Sequence, residues 1–391
     1  MKTTSTPISG QFQNVVACGA TRAAALVTLL MLSLGAACPV RAGDAAFSEP
    51  GGTLVNPRYL HTAILLADGR VLLAGGLIRQ GVGFVAANAC EIYDPATNTW
   101  TATGSLNDAR YGHGAVLLSD GRVLAAGGDP TGGITMKTAE IYDPATGTWK
   151  LTGQMLTRRG PELILLTSGK VLAAGGSMQN STNCELFDPA TGKWSVTGSL
   201  NVGRDGGYRA TRLSDGRVLI AGGHSETLAG FVRDTELYDP VTGTWSVAGM
   251  LNRARSGQEQ VLLANGQVLI AGGLVGPPSN PTITRIAEIF DPATGSWSLS
   301  HPLTTPRAEF TANLLQDGSV FAAGGTSSEA LSSIEEFDPL AGRWHLLSTT
   351  LATPRLLHST TTLLDGSLII AGGVDANGRL IPGAELFVTP R

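Results

Sequence analysis

Two adjacent glycines that close a short apolar run occur seven times in this chain, at Gly75-Gly76, Gly127-Gly128, Gly175-Gly176, Gly222-Gly223, Gly272-Gly273, Gly324-Gly325 and Gly372-Gly373. Successive pairs lie 52, 48, 47, 50, 52 and 48 residues apart. That period belongs to supersecondary units stacked side by side, not to one conventional core.

One unit is legible in full over residues 110–149. After Arg110 and His113 comes the apolar run 115–118, then the turn Asp120-Gly121, then a second apolar run that ends at Gly127-Gly128. Asp-Gly between apolar runs supplies the positive φ angles of a type I′ hairpin turn. The device recurs at Asp68-Gly69, Ser168-Gly169, Asp215-Gly216, Asn265-Gly266, Asp317-Gly318 and Asp365-Gly366. A variable loop follows each glycine pair and leads to a third strand that carries Glu91, Glu140, Glu185, Glu236, Glu288, Glu335 or Glu385. A turn like Pro144–Gly147 then leads to a fourth strand marked by Trp100, Trp149, Trp194, Trp245, Trp297 or Trp344, which are all the tryptophans present. Four short antiparallel strands cannot bury both their faces alone, and radial packing leaves only short protected edges. The expected fold is therefore all-β, a seven-bladed β-propeller.

The Arg-x-x-His start, glycine pair, Tyr-Asp and Trp at these offsets resemble kelch repeats, over roughly residues 45–391. The resemblance implies that the first strand of each repeat lines the central channel and that the Trp strand lies outermost. The seventh repeat lacks a Trp after Phe387, and Phe47 lies as far before Arg58 as Trp344 does before Arg355. Residues 45–48 are thus expected to close the ring as the outer strand of the last blade.

Residues 1–42 differ from the rest. Lys2 and Arg22 precede an apolar stretch over 23–37, and Val40-Arg41-Ala42 fits small-residue cleavage, so this segment reads as a secretory signal peptide and 43–391 as the propeller. The expected location is secreted or periplasmic, with lipid anchoring at Cys38 as an alternative. Loss of 1–42 leaves 24 basic against 31 acidic residues, which argues against nucleic acid, whose binding rests on phosphate neutralisation. Cys90 and Cys184 occupy equivalent places two blades apart, too far for a disulfide, and are expected as free, buried thiols.

In a repeat protein a residue found in every unit is first assigned to packing, and a site is sought where one unit departs from the others. Arg58, Arg110, Arg158, Arg204, Arg255, Arg307 and Arg355 form one phased set that matches the seven glutamates, the count expected of paired scaffold charges. His61, His113 and His358 lie three residues after the repeat Arg in neighbouring blades and are the candidate metal ligands, although a His at that offset also belongs to the kelch pattern. Thirteen residues before the glycine pair, where other blades have Thr, Gly or Ser, stand Glu162, Arg209 and Glu259. Equal offset puts them at one level near the channel mouth, with Arg212 on the same strand as Arg209. One extra residue between Arg204 and Gly222 suggests a bulge there. The loops after the glycine pairs vary in length and share the face on which inner strands begin, where binding surfaces are usually built. The richest are 77–90 with Arg79 and Phe84, 224–235 with His224, Glu226, Phe231 and Arg233, and 274–287.

These features lead to a monomeric binding protein that presents Glu162, Arg209, Arg212, His224, Glu226, Arg233 and Glu259 to a glycan or protein partner, with no catalytic residues and no cofactor. The alternative is a propeller enzyme that acts on a carbohydrate or small molecule as an oxidase, lyase or epimerase. Some kelch propellers resemble the copper-radical oxidases of the galactose oxidase type, which use a cysteine-crosslinked tyrosine, a second tyrosine and two histidines. Here no Tyr-His pair is adjacent, Tyr93, Tyr142 and Tyr238 are repeat positions, and neither Cys90 nor Cys184 lies on an inner strand. No ligand carries across.

Overall fold

The computed structural model describes residues 47–388 apart from 132–133 and 177–181. The leader expected over 1–42 and the lipidation site at Cys38 lie outside the described residues. Within them the strands form seven four-stranded antiparallel blades, the fourth with a short extra strand at Gly230–Phe231. Blade one runs outward from Thr62–Leu65 through Val71–Ala74 and Cys90–Asp94 to Thr99–Thr103. The other inner strands are Gly114–Leu117, Glu162–Leu165, Gly206–Arg212, Glu259–Leu262, Thr311–Leu314 and Ser359–Thr362. Each touches the next, and the last touches the first, so the ring is closed around an axis.

Alternation along each inner strand turns one set of side chains to each neighbouring blade. Ile64 packs with Ala115, Val123 and Trp149 of blade two, whereas Ala63 packs with Leu363 and Ile369 of blade seven. In blades one to six the Trp stacks on the Tyr or Phe opposite it, with ring centroids 5.0–5.2 Å apart.

The N-terminal strand Phe47–Thr53 closes blade seven by pairing with Gly383–Val388, as expected, although the strand extends to Thr53. The register corrects one detail. Phe47 stands opposite Val388, and Ser48, not Phe47, occupies the place that Trp holds in other blades, opposite Phe387. Phe387 instead meets Phe321 of blade six at 4.6 Å.

The glycine pairs are inter-blade joints. The second glycine of each pair donates its N–H to the carbonyl of the next blade's repeat arginine, from Gly76 to Arg110 at 2.9 Å round to Gly373 to Arg58 at 2.9 Å. The first lies under the next blade's side chain at the offset of the histidines. A Cβ there would press on His113 at Gly75, Tyr208 at Gly175, Phe310 at Gly272 and His61 at Gly372. At Gly127, where φ is +70°, a Cβ would overlap the Arg159 carbonyl oxygen, while Gly342, at +64°, has open space. Gly342→Ala should therefore cost about 1–2 kcal/mol, the left-handed penalty alone. Gly127→Ala should cost at least about 2 kcal/mol more, because backbone must move as well. Chemical denaturation of both variants checks this ordering.

Blade four contradicts the expected bulge between Arg204 and Gly222. Its inner pair keeps one register from Gly206↔His224 to Arg212↔Val218, the span that Tyr59↔Leu77 to Leu65↔Val71 covers in blade one, and the extra residue, Asp205, lies ahead of the strand. The register shift falls in the outer pair, between Asp234 and Glu236.

Candidate functional site at the channel mouth

The phased charges are scaffold. In blade one, buried Arg58 donates to Glu91 at 2.6 Å, to the Gly75 carbonyl at 2.9 Å and to the Ala89 carbonyl at 2.6 Å. Glu91 accepts from the backbone N–H groups of Val55 and Asn56. Each Arg-Glu pair thus holds the chain that enters the blade. The pattern repeats with Arg110–Glu140, Arg204–Glu236, Arg255–Glu288, Arg307–Glu335 and Arg355–Glu385 at 2.5–3.2 Å. In blade three the residue is Arg159, not Arg158. Arg159 is fully buried and donates to Glu185 at 3.0 Å, whereas Arg158 is exposed on the Thr135 carbonyl. The entering segment is one residue shorter there, so counting back from the glycine pair lands one place early.

The three candidate ligand histidines are also joint residues. His61 shares a hydrogen bond with Ser359 at 2.8 Å, His113 with Thr62 at 3.0 Å and His358 with Thr311 at 3.1 Å, each across a different blade interface. Burial, reinforced by Arg58, lowers His61 to about 3, and burial holds His113 and His358 well below their ordinary value. Pro161, Tyr208, Gln258 and Phe310 fill the same place elsewhere. Among the described residues no three His, Cys, Asp or Glu side chains are grouped so as to hold a metal ion. Cys90 and Cys184 are free and buried.

The unit-specific charges do converge. Arg209 donates to both carboxylate oxygens of Glu259, at 2.7 and 3.3 Å, and to the Tyr208 carbonyl at 3.1 Å; its guanidinium lies 3.7 Å from Glu162 on the opposite side. All three side chains are buried. Burial opposes the charge of Arg209, yet Glu259, Glu162 and Glu309 together raise its pKa. Burial pushes Glu162 up to about 7, with Arg209 pulling down and Glu259 adding to the rise.

Glu309 is a member that the sequence comparison missed. Burial likewise pushes it up to about 7, against the pull of Arg209, and it is half-buried in a left-handed conformation, φ 54°. It stands fifteen residues before its glycine pair, where other blades carry Leu60, Gly112, Gly160, Gly207, Gly257 and Leu357. Comparing that offset would have exposed it. Backbone bonds link this level around the mouth, from Gly257 to Gly207, Glu309 to Gly257 and Leu357 to Glu309.

The other expected site residues stay outside the cluster. Arg212 turns to blade three and donates to the Leu165 carbonyl at 2.9 Å. His224 lies 3.7 Å from buried Asp205, whose carboxylate also accepts from the Glu226 N–H. The Glu226 and Arg233 side chains are exposed, Arg233 donating to the Leu251 carbonyl. Blades seven and one complete the mouth with an apolar cluster of Tyr59, Leu60, Leu356, Leu357 and Val374.

The raised carboxyl groups give a pH prediction. A carboxyl raised in the folded state binds more protons folded than unfolded, so its contribution is fully present below the ordinary value of about 4.5 and is lost as pH rises through about 7. Glu162→Gln/Glu309→Gln should therefore melt above the parent at pH about 8, with the gain shrinking toward zero near pH 5. A gain independent of pH would contradict this account.

Known proteins fit the same architecture. The Kelch motif matches residues 207–249 and 312–350, within blades four and six. The chain carries kelch motifs on a seven-bladed propeller. It is 28% identical over 123 residues to an F-box/kelch-repeat protein of Arabidopsis thaliana, covering 28% of this chain and 32% of that one. It is 28% identical over 142 residues to Kelch-like protein 25 of Xenopus tropicalis, 33% of this chain and 23% of that one, and 33% identical over 132 residues to human Kelch-like protein 34, 33% and 20%. The matched kelch region thus spans a third or less of each curated relative. Among solved structures, a fungal alcohol oxidase of the AA5 family in complex with copper superposes with a TM-score of 0.70 at 18% identity, over 88% of this chain and 76% of that one, a likeness of fold.

Proposed function

We propose that this kelch propeller is a monomeric secreted or periplasmic binding protein that receives a protein or glycan on its variable-loop face. The observation that carries the reading is the asymmetry of the two faces. The loops after the glycine pairs build extra hairpins at Leu77–Gln80 with Gly83–Ala86 and at Leu274–Val275 with Thr282–Ile283, and they surround the mouth where the charges of blades three to six converge. The turns on the opposite face repeat one design, with Asp94, Asp143, Asp188, Asp239 and Asp291 each accepting the N–H two residues on. Variation on a rigid scaffold is how recognition surfaces are made. No helix among the described residues is long and apolar enough to cross a membrane. The test is to present residues 43–391 to glycan arrays and to extracellular protein extracts, beside a variant with the hairpin over 77–86 replaced by a short Gly-Ser turn. Capture that survives loss of every variable loop would contradict the reading.

The alternative, an oxidase-like enzyme, draws on the fold likeness to the copper protein. The residues described here do not fit copper, since His61, His113 and His358 are each engaged at a separate blade interface. Metal analysis of protein purified without chelators should accordingly find no stoichiometric copper. Copper lost on His61→Ala, His113→Ala and His358→Ala would reverse the preference.

A further inference from the structure

Resting on the binding reading above, we propose that the partner is a protein that inserts one lysine or arginine side chain into the channel mouth, between Glu162 and Glu309. The charges at the mouth do not balance. Carboxylates from blades three, five and six surround a single guanidinium, and Arg209 is already committed to both oxygens of Glu259. Glu162 is the independent sign of a missing group. It is 9% exposed, its carboxylate accepts no hydrogen bond among the described residues, and its charged neighbour stands at 3.7 Å, beyond hydrogen-bond reach. A buried carboxylate without a donor is costly and is stabilised by a cation that supplies one.

Glu309, half-buried on blade six, shares Arg209 and Glu259 with Glu162 as charged neighbours, its Oε1 lying 2.7 Å from where a Cβ on Gly257 would stand. The absent side chain at Gly257 is what leaves room for that carboxylate. Asp129 and Asp205, at the loop side of blades two and four, add to the negative field. The other half of the mouth is the apolar cluster of Tyr59, Leu60, Leu356, Leu357 and Val374. A mouth acidic on one side and aliphatic on the other matches a side chain with an apolar stem and a charged head. A neutral sugar would leave the excess charge uncompensated.

The groups around Glu162 are Arg209, Glu259 and the Tyr208 hydroxyl, and Glu309 shares Arg209 and Glu259 as its charged neighbours, with Asp205 and His224 on the neighbouring loop. A bound cation favours the ionised carboxylates, so binding should strengthen as pH rises through about 7.

The probe is Nα-acetyl-arginine amide, a single side-chain cation, titrated into residues 43–391 by NMR with Nα-acetyl-glutamine amide as the neutral control. Saturable shifts at pH about 8, about tenfold weaker near pH 5.5 and in Glu162→Gln/Glu309→Gln, are expected. The single variant Glu309→Gln should show a partial loss, and Glu49→Gln, exposed on the outer strand of blade seven, should show none. Equal binding of the neutral control, or full binding by the double variant, would overturn the inference. Phage selection of random peptides on the same protein separates the two readings. Peptides captured without a fixed Lys or Arg, and captured equally by the double variant, leave the binding reading intact and sink the cation site. No peptide or glycan captured at all, with arginine shifts retained, would do the reverse.

Discussion

Replacing Arg159 by alanine is expected to destabilise the protein by about 3–5 kcal/mol, whereas the same change at Arg158, one residue earlier, should stay within about 0.5 kcal/mol. Arg159 is fully buried and donates to Glu185 and to the Gly175 and Asn183 carbonyls. Its loss leaves Glu185 buried beside the N–H groups of Leu156 and Thr157 with no cation. It also removes a donor from the Gly175 and Asn183 carbonyls. The Arg159 carbonyl accepts from Gly128 of the preceding blade, so loosening this segment weakens the joint between blades two and three. Arg158 is exposed, and its bond to the Thr135 carbonyl is replaceable by water. Urea titration of both variants checks the prediction. Equal effects at the two positions would show that the clamp in blade three differs from those of the other blades.

This pair also shows what a sequence can and cannot disclose. The glycine pairs, turns, glutamates and tryptophans repeat because every blade solves the same packing problem, so the strand count and the closing strand were legible. Misplacing the arginine of blade three came from treating the offset as rigid. The entering segment is one residue shorter before Glu162 and one longer before Arg209, and the blades absorb the difference at the mouth, where no strand register fixes the count. Ser48 opposite Phe387 follows the common spacing, ten residues before the repeat arginine as in Trp100–Arg110 or Trp297–Arg307; the eleven residues of Trp344–Arg355, which pointed to Phe47, reflect the register shift in the outer pair of blade six. At the mouth, Glu162, Arg209 and Glu259 were visible because they break a pattern at one offset. Glu309 breaks a different one, in a row of glycines and leucines that serves backbone conformation. Arg212, Glu226 and Arg233 share the neighbourhood in sequence but turn to a carbonyl or to solvent, a choice of rotamer that spacing does not encode.

Deleting residues 43–50 should lower the melting temperature by about 10 °C or more, and adding a synthetic peptide of residues 43–56 should recover much of the loss. The N-terminal strand, continuous in the chain with blade one, fastens the last blade to the first by pairing with Gly383–Val388. Ser48, Glu49 and Pro50 pair with Phe387, Leu386 and Glu385, and the Ser48 hydroxyl donates to the Glu385 carboxylate at 3.1 Å. Toward blade one, the Trp100 indole donates to the Gly51 carbonyl and the Asn98 amide to the Pro50 carbonyl, both at 2.9 Å. Beyond them, Val55 and Asn56 are held by Glu91. Removing the strand therefore exposes the edge of Gly383–Val388, uncovers Ile369, whose side chain packs against Gly51, and strips Glu385 of a donor while Arg355 stays buried beside it. In a ring each blade is stabilised by two neighbours, so an opened ring loses one interface and leaves two terminal blades able to fray. An unpaired edge next to apolar surface also invites association, so the truncated protein should elute in part as oligomers. Rescue by the peptide separates loss of the strand from general damage, because an added strand can restore only the pairing with Gly383–Val388. A truncated protein that melts with the parent would mean that blade seven is stable with three strands and that closure rests on the inner ring alone.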